Sequence, residues 1–177
     1  FLALTTGSGN DTLDFSAWAY SDSIATTDGN DTILPGLGKD TVNGGGGTDT
    51  LIIDYSSLKE KLNSYLYGEY GYGKYGYFAS GNSTHGVDFY NIDRFKVTAT
   101  AQDDFIQVGP GADTVTAGAG NDTIDSGGGN DSIDGGEGID LLKNLDLSAA
   151  TEDLKIDGSG LKIDAAGVAV NNVEQFL

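Results

Sequence analysis

The sequence of 177 residues contains no cysteine, no methionine, two prolines and a single histidine. Without cysteine the chain forms no disulfide and offers no thiolate to a metal. Basic residues are scarce too, since nine Lys and Arg stand against 27 Asp and Glu, for a formal net charge of −18. Such a chain repels nucleic acid and anionic membranes and attracts cations. No apolar run approaches the roughly 18 residues of a membrane span, so we expect neither a nucleic-acid partner nor a membrane span.

Hydrophobic residues make up 38% of the chain, below the usual ~45–50%, so a thick globular core is not expected. Glycine, in contrast, is abundant, with 28 residues, and it recurs at regular intervals. From 108 to 143 the chain reads VGPGADTVT, AGAGNDTID, SGGGNDSID and GGEGIDLLK. Each nine-residue unit has Gly at the fourth place, Asp at the sixth and an apolar residue at the eighth. A fixed period over successive units predicts a repeat architecture.

The same unit occurs earlier, at 6–14, 26–34, 35–43 and 44–52, and in degenerate form at 17–25 and 99–107. Each unit predicts a glycine-rich turn followed by a very short strand, whose central apolar residue points to one side. Such a strand is stable only when successive turns stack and bury the apolar column. We therefore predict an all-β fold, a parallel β-roll related to the parallel β-helix, with two turns per coil and same-side turns eighteen residues apart.

The repeats divide the chain into a first block at 1–52 and a second at 99–143. Between them, 53–98 is a Tyr/Gly-rich insertion, in which we expect a short helix around Leu58–Leu66, then short strands or an irregular hairpin, and a return to the roll over 87–100. The tail, 144–177, has lost the glycine turns and is predicted to close the open end of the roll as a β cap. We expect one continuous domain.

Aspartates at a constant phase would repel one another in a stacked roll unless a cation lay between them. Ca²⁺ takes six to eight oxygen ligands in flexible geometry, including backbone carbonyls, whereas zinc is disfavoured without cysteine and Mg²⁺ by its strict shell. The predicted carboxylate ligands are the ten sixth-place aspartates: Asp11, Asp22, Asp31, Asp40, Asp49, Asp104, Asp113, Asp122, Asp131 and Asp140. The predicted carbonyl ligands are turn glycines: Gly7, Gly9, Gly29, Gly36, Gly38, Gly45, Gly47, Gly109, Gly111, Gly118, Gly120, Gly127, Gly129, Gly136 and Gly138.

Aspartates eighteen residues apart should share an ion. These pairs are Asp22/Asp40, Asp31/Asp49, Asp104/Asp122, Asp113/Asp131 and Asp122/Asp140, which predicts about five calcium ions or more. The Asp11/Asp31 pair is twenty residues apart, because Phe15 and Ser16 are extra, and its site is expected to be distorted.

The units GGGGTDTLI, SGGGNDSID and GGEGIDLLK resemble the Gly-Gly-x-Gly-x-Asp-x-apolar-x nonapeptide of RTX (repeats-in-toxin, or hemolysin-type) proteins. The resemblance implies a bacterial module, exported by type I secretion from its C-terminal end, that folds on extracellular calcium and supports the stability of a larger secreted protein. It also implies a secreted or extracellular location, with attachment to the cell surface as one form. Departures at Tyr20, at Gln102 and after Asp14 put calcium binding by those turns in doubt.

Two alternatives concern other residues. Tyr65–Tyr77 holds six tyrosines that either pack the insertion onto the roll or form an adhesion surface for a glycan or a protein. Threonines at seventh places and asparagines at fifth places suggest an ice-binding ladder, but the third places hold no threonine column, which argues against ice.

No enzyme motif is present: His85 has no metal-binding partner motif, and neither a cysteine nucleophile nor a G-x-S-x-G turn exists. We expect no catalysis from this chain. Because it begins at Phe1, we expect a monomeric module of a larger protein, whose catalytic activity, if any, lies in another part.

Overall fold

The computed structural model describes residues 1–69, 74–144, 156–157, 160–161, 163–165 and 168–176. All regular elements in these residues are β-strands. The all-β class predicted from the short, apolar-centred repeats is therefore confirmed. Within the same residues there is no helix long and apolar enough to cross a membrane.

The first repeat block consists of short strands, and each strand within a nine-residue unit contains the eighth-place apolar residue. They are β1 (Ala3–Thr5), β2 (Thr12–Asp14), β3 (Ser23–Ala25), β4 (Thr32–Leu34), β5 (Lys39–Asn43) and β6 (Thr50–Asp54). The insertion contains β7 (Leu62–Glu69), β8 (Lys74–Ser80) and β9 (Gly86–Tyr90). The second block contains β10 (Arg94–Thr98), β11 (Phe105–Gln107), β12 (Thr114–Ala119), β13 (Thr123–Asp125), β14 (Ser132–Glu137) and β15 (Leu141–Lys143).

Successive strands alternate between two sheets, which we call sheet A and sheet B, and same-sheet neighbours in the repeats run parallel. In sheet A the order is β1-β3-β5-β9-β8-β7-β11-β13-β15, and in sheet B it is β2-β4-β6-β10-β12-β14. Ile106 pairs with Ile124 and Val115 with Ile133, so the register repeats every eighteen residues. The two sheets bury these apolar columns between them, which is the predicted parallel β-roll with two turns per coil.

The insertion interrupts one sheet and not the other. In sheet B, β6 pairs directly with β10, with Leu51 opposite Phe95. In sheet A, an antiparallel meander of β9, β8 and β7 lies between β5 and β11, joined to both by parallel pairing. Sheet A is therefore two strands wider than sheet B at this level. The roll nonetheless continues across 53–98 as one solenoid.

Large side chains fill the widened part of the core. Phe78, Phe89 and Phe95 are buried and contact one another, with ring centroids 5.0 to 5.6 Å apart. The regular turns need only Ile, Val or Leu in the same layer. Aromatic rings thus fill the core where sheet A contains two extra strands.

The helix expected around Leu58–Leu66 is wrong, because this segment leads into β7 (Leu62–Glu69). Leu58, Leu62 and Leu66 have helical spacing, which suggested the helix. Leu62 is instead buried with Ser64 at the two-residue spacing of a strand, and its N–H donates to Oδ1 of Asp104 at 2.6 Å. The open edge of sheet A at β11 thus decides the conformation. The expected hairpin is present as β7 and β8, with a register irregularity between Leu66 and Glu69.

The tail adds strands to both sheets. Its described strands are β16 (Ile156–Asp157), β17 (Gly160–Leu161), β18 (Ile163–Ala165), β19 (Val168–Asn171) and β20 (Gln175–Phe176). The β19 strand pairs in parallel with β14, and β20 with β15, so the tail covers the last coil as the predicted β cap. Much of 145–167, including Leu154, Lys155 and Lys162, lies outside the described residues.

Candidate metal centre

The sixth-place aspartates form two columns, one along each edge of the roll where the chain turns between sheets. Nine of the ten are buried, and Asp11 in the terminal turn is half-buried. One column contains Asp22, Asp40, Asp104, Asp122 and Asp140, and the other contains Asp11, Asp31, Asp49, Asp113 and Asp131. Carboxylates are rarely buried without a partner. Their position therefore requires an explanation.

Each same-side pair is joined by one hydrogen bond. The backbone N–H of the earlier aspartate donates to Oδ1 of the aspartate eighteen residues later. The distances are 2.8 Å for Asp22/Asp40, 2.9 Å for Asp31/Asp49, 2.8 Å for Asp104/Asp122, 3.0 Å for Asp113/Asp131 and 2.8 Å for Asp122/Asp140. The structure thus brings together all five predicted pairs. Asp11 and Asp31 make the same bond at 2.8 Å, so the expected distortion is absent from this contact. The two extra residues are accommodated in a turn at Phe15–Trp18.

The second carboxylate oxygen, Oδ2, lacks a hydrogen-bond partner in most of these side chains. In the described part of the chain, Oδ2 is buried and accepts no hydrogen bond in eight of the aspartates: Asp11, Asp22, Asp31, Asp40, Asp49, Asp122, Asp131 and Asp140. A buried acceptor without a partner costs about 1–3 kcal/mol, and more when it is charged. Eight such atoms in two columns mark places where the folded chain lacks positive charge.

The pKa values of these carboxyls also indicate a lack of nearby positive charge. Burial raises the pKa to about 6 for Asp40, Asp49 and Asp131, and to about 7 for Asp122. For Asp122, repulsion by Asp104 and Asp140 raises the pKa further, although the hydrogen bond from the Asp104 N–H opposes this. Without a cation, folding at neutral pH thus places charge where burial and neighbouring carboxylates disfavour it.

The glycine turns stack at very short distance. Gly129, at φ 119°, and Gly47, at φ 125°, adopt a backbone conformation that L side chains rarely adopt. A Cβ at either position would collide with a carbonyl oxygen of the preceding same-side turn, that of Gly111 or of Gly29. The carbonyls of these predicted ligand residues therefore point along the stack toward the next turn.

The available ligands match a hard cation. They are carboxylate and carbonyl oxygens, which Ca²⁺ prefers. No group of three or more acidic, His or Cys side chains converges within the described ranges. A cation here would therefore rely on one or two aspartates and on several turn carbonyls. Paired turns with buried, unpartnered Oδ2 atoms beside turn carbonyls fit calcium.

Comparison with known proteins agrees with this chemistry. A family model described as the RTX calcium-binding nonapeptide repeat matches residues 19–51, 97–124 and 107–142. The chain carries RTX calcium-binding repeats. The matched residues cover most of both repeat blocks, and the family resemblance predicted from the nonapeptides is confirmed.

Among solved structures, this chain is similar to the extracellular lipase LipA from Serratia marcescens, with 14% identity and a TM-score of 0.31. The match covers 98% of this chain and 36% of the lipase chain, so this chain spans about a third of that protein's length. No curated protein matches the chain.

One RTX turn differs from the others. In the degenerate unit 99–107 the second place holds Thr100, whose hydroxyl lies 2.9 and 3.0 Å from the two oxygens of Asp104. The Thr100 N–H also donates to Oδ2 at 2.8 Å, and Leu62 donates to Oδ1. Both oxygens of Asp104 are thus satisfied by the protein. This turn needs a cation less than its neighbours do.

The columns have members that the nonapeptide frame missed. Oδ2 of Asp93 accepts the N–H of Asp49 at 3.0 Å, and Oε2 of Glu174 accepts the N–H of Asp140 at 2.9 Å. Asp93 thus continues one column through the insertion, and Glu174 ends the other in the cap. Both precede an apolar residue by two places, as in Asp93-Arg94-Phe95. That Asp-x-apolar signal could have identified them.

Fifth-place asparagines form a second set of hydrogen bonds between same-side turns, in which the side chain of the earlier residue accepts the N–H of the later one. Oδ1 of Asn10 accepts the N–H of Asn30 at 2.7 Å, and Oδ1 of Asn121 accepts that of Ile139 at 2.9 Å. Here the earlier residue supplies the side chain, whereas in the aspartate columns the later one does. These asparagines therefore hold consecutive RTX turns together, a role not predicted from the sequence.

Proposed function

We propose that the chain is a calcium-dependent folding module, stable when its aspartate columns hold Ca²⁺ and unstable without it. The observation that carries the proposal is the set of eight buried Oδ2 atoms without hydrogen-bond partners. Bound calcium would supply the positive charge that these columns lack. The carboxylates would then remain ionised inside the fold, and the free energy of ion binding would add to that of folding.

We further propose that the five eighteen-residue pairs hold about five ions. Five divalent ions would change the formal net charge from −18 to about −8. The Asp104/Asp122 pair is expected to bind most weakly, because both oxygens of Asp104 are already satisfied by Thr100 and Leu62. The Asp11/Asp31 pair is an additional candidate, since its turns make the same backbone contact as the regular pairs.

Calcium dependence would also couple folding to export. In a cytosol poor in calcium the repelling carboxylates and the thin core favour the unfolded chain. Extracellular sites with dissociation constants of ~10⁻⁴–10⁻³ M would be filled outside the cell. We therefore propose a secreted module that folds after export and stabilises a larger extracellular protein.

We propose no catalytic role for this chain. The close carboxylate pairs that could act as acid and base lie in the columns, where Oδ1 accepts a backbone N–H from the adjacent turn. The one histidine, His85, follows a Gly-Asn-Ser-Thr segment. An enzymatic activity of the parent protein would belong to another part.

The test is far-UV circular dichroism of the chain, first stripped of calcium and then titrated to millimolar Ca²⁺, with Mg²⁺ at equal ionic strength as the control. We expect a coil-like spectrum that gains β signal with calcium and far less with Mg²⁺. A calcium-free spectrum identical to the calcium form would contradict the proposal.

A further inference from the structure

The outward face of the insertion carries a continuous row of aromatic rings. It consists of Tyr65, Tyr67, Tyr75, Tyr77, Tyr90 and Phe105, which we call the tyrosine platform. Ring centroids are 5.2 Å apart for Phe105 and Tyr65, 5.4 Å for Tyr65 and Tyr77, 5.9 Å for Tyr77 and Tyr67, 5.4 Å for Tyr67 and Tyr75, and 6.4 Å for Tyr75 and Tyr90. The rings lie on four adjacent strands of sheet A, β11, β7, β8 and β9. Tyr70 and Tyr72 lie outside the described residues.

The buried core does not include this platform. The insertion packs onto the roll through Phe78 and Phe89 on its inner face, so of the two alternatives for the tyrosines, packing onto the roll does not describe the exposed Tyr65, Tyr67 and Tyr90. Elsewhere in sheet A, outward positions hold small polar residues such as Ser23, Thr41 and Thr123. Yet Tyr65, Tyr67 and Tyr90 are 41%, 51% and 44% exposed. Exposed aromatic rings grouped at one place are a feature of binding surfaces.

A cleft of mixed lining adjoins the platform at Tyr77. Its volume is about 200 Å³, and the polar part of its lining includes Lys39, Asp40, Thr41, His85 and Asp88. Thr41, Asp88 and Tyr77 lie side by side on β5, β9 and β8. Nδ1 of His85 is buried and has no hydrogen-bond partner within the described part of the chain. The cleft thus combines one aromatic wall with hydrogen-bond donors and acceptors.

We propose that the tyrosine platform and this cleft together bind a neutral polysaccharide, with one sugar unit in the cleft and the following units along the tyrosine row. A pyranose ring has an apolar C–H face, which packs against an aromatic ring, and hydroxyls that both donate and accept hydrogen bonds. The ring of Tyr77 can pack against the C–H face, and Lys39, Thr41 and Asp88 can form hydrogen bonds with the hydroxyls.

Charge and area select this ligand over others. The cleft is lined by one base, Lys39, and two acids, Asp40 and Asp88, and the whole chain carries −18, so a polyanion would be repelled. The exposed parts of Tyr65, Tyr67 and Tyr90 amount to roughly 300 Å². A standard protein partner needs about 800 Å² on each side. The platform is therefore of suitable size for a sugar chain and small for a protein.

The experiment is affinity electrophoresis of the chain in calcium, in gels containing hydroxyethyl cellulose, β-1,3-glucan or galactomannan, with polygalacturonate as the anionic comparison. Calorimetry with a hexasaccharide of the retarding polymer then measures affinity for Tyr67→Ala, Tyr77→Ala and Asp88→Asn. Tyr20→Ala is the matched control, because Tyr20 is 66% exposed and lies outside the platform. Circular dichroism in calcium verifies that each variant folds, and Asp88→Asn preserves the shape of an exposed side chain if a tyrosine variant fails to fold.

We expect retardation by at least one neutral polymer and none by polygalacturonate. Each platform or cleft variant should weaken binding about two- to tenfold, and Tyr20→Ala should leave it unchanged. The proposal is overturned by retardation in no neutral gel, by binding to polygalacturonate alone, or by equal affinity of the folded variants. It is also overturned if sedimentation shows a dimer that Tyr67→Ala dissociates, since the platform would then bind a second copy.

Discussion

At the scale of single residues, a buried sixth-place aspartate such as Asp122 divides its two oxygens between two tasks. Oδ1 accepts the N–H of Asp104 and so fixes the spacing of adjacent turns. Oδ2 makes no hydrogen bond and is the atom proposed to meet the cation. An amide would retain the first task and lose the charge needed for the second. Asparagine therefore separates the structural role from the metal role.

We predict that Asp122→Asn stabilises the calcium-free chain and weakens its response to calcium. Removing a buried charge that Asp104 and Asp140 repel favours the calcium-free fold. The calcium concentration at the folding midpoint should rise at least about fivefold, or ~1 kcal/mol. Calcium titrations followed by circular dichroism measure both effects. The control is Asp28→Asn, an exposed aspartate in another turn, and an equal shift in both variants would refute the role assigned to Asp122.

The turn glycines give a second residue-scale prediction. Gly129→Ala would place a Cβ against the carbonyl oxygen of Gly111 at a positive φ, so the free energy of unfolding in calcium should fall by about 1–3 kcal/mol or more. Gly7 has open space around it and no positive φ, so Gly7→Ala should stay within about 0.5 kcal/mol. Urea unfolding monitored by circular dichroism makes the comparison. Similar losses at the two sites would argue against close stacking as the reason for glycine.

At the scale of elements, the turn that leads into β11 differs because protein groups satisfy both oxygens of its aspartate, Asp104. Thr100 and Leu62 donate to Asp104, and the Phe78, Phe89 and Phe95 cluster lies in the adjacent core. The insertion thus supports the roll at a place where the nonapeptide pattern is weakest. The repeats are proposed to depend on bound calcium, whereas this segment is held by packing and hydrogen bonds.

We predict that Thr100→Val lowers the free energy of unfolding in calcium by about 1–3 kcal/mol, because Asp104 loses its hydroxyl partner while the shape is kept. Thr116→Val is the matched control, since Thr116 is exposed on β12 and should change little. Urea denaturation of both variants supplies the values. If Thr100→Val proved as stable as Thr116→Val, the turn would not depend on this hydroxyl.

The elements also show what the sequence could predict. A strict period fixes which residues share a side, so the roll, its eighteen-residue register and the aspartate pairs follow from spacing alone. The segment after Leu58 has no such period, and its apolar spacing suited a helix. This segment becomes strand β7 because it pairs with β11 at the edge of sheet A, and β11 lies far away in the sequence. Asp93 and Glu174 were missed because they lie outside the nonapeptide frame, although their local Asp/Glu-x-apolar pattern was readable.

At the scale of the whole molecule, the raised carboxyl pKa values make stability depend on pH. The folded-state pKa is about 6 for Asp40, Asp49 and Asp131 and about 7 for Asp122, above the unfolded value near 3.9. In this window the folded chain binds more protons than the unfolded chain. The stability of the calcium-free roll must therefore rise as pH falls from about 7 toward 4 and be lost as pH rises through the folded pKa values.

We predict that the desalted, calcium-free chain gains β signal between about pH 7.5 and pH 5, while the calcium concentration at the folding midpoint increases over the same range. Protons and calcium compete for the same oxygens, which explains the opposite signs. Circular dichroism at each pH, with and without calcium, tests both trends. Loss of β signal on acidification of the calcium-free chain would contradict the role assigned to these carboxyls.

The direction of the strands relative to the stack has a mechanical consequence. Neighbouring coils are joined by hydrogen bonds between parallel strands about 4.8 Å apart. A force that separates the two ends of the roll would therefore break these bonds one coil at a time. Each released coil of eighteen residues could extend to about 60 Å. Between a parent protein and whatever it is attached to, such a chain would act as an extensible tether that lengthens in steps under load and shortens again when calcium refolds each coil.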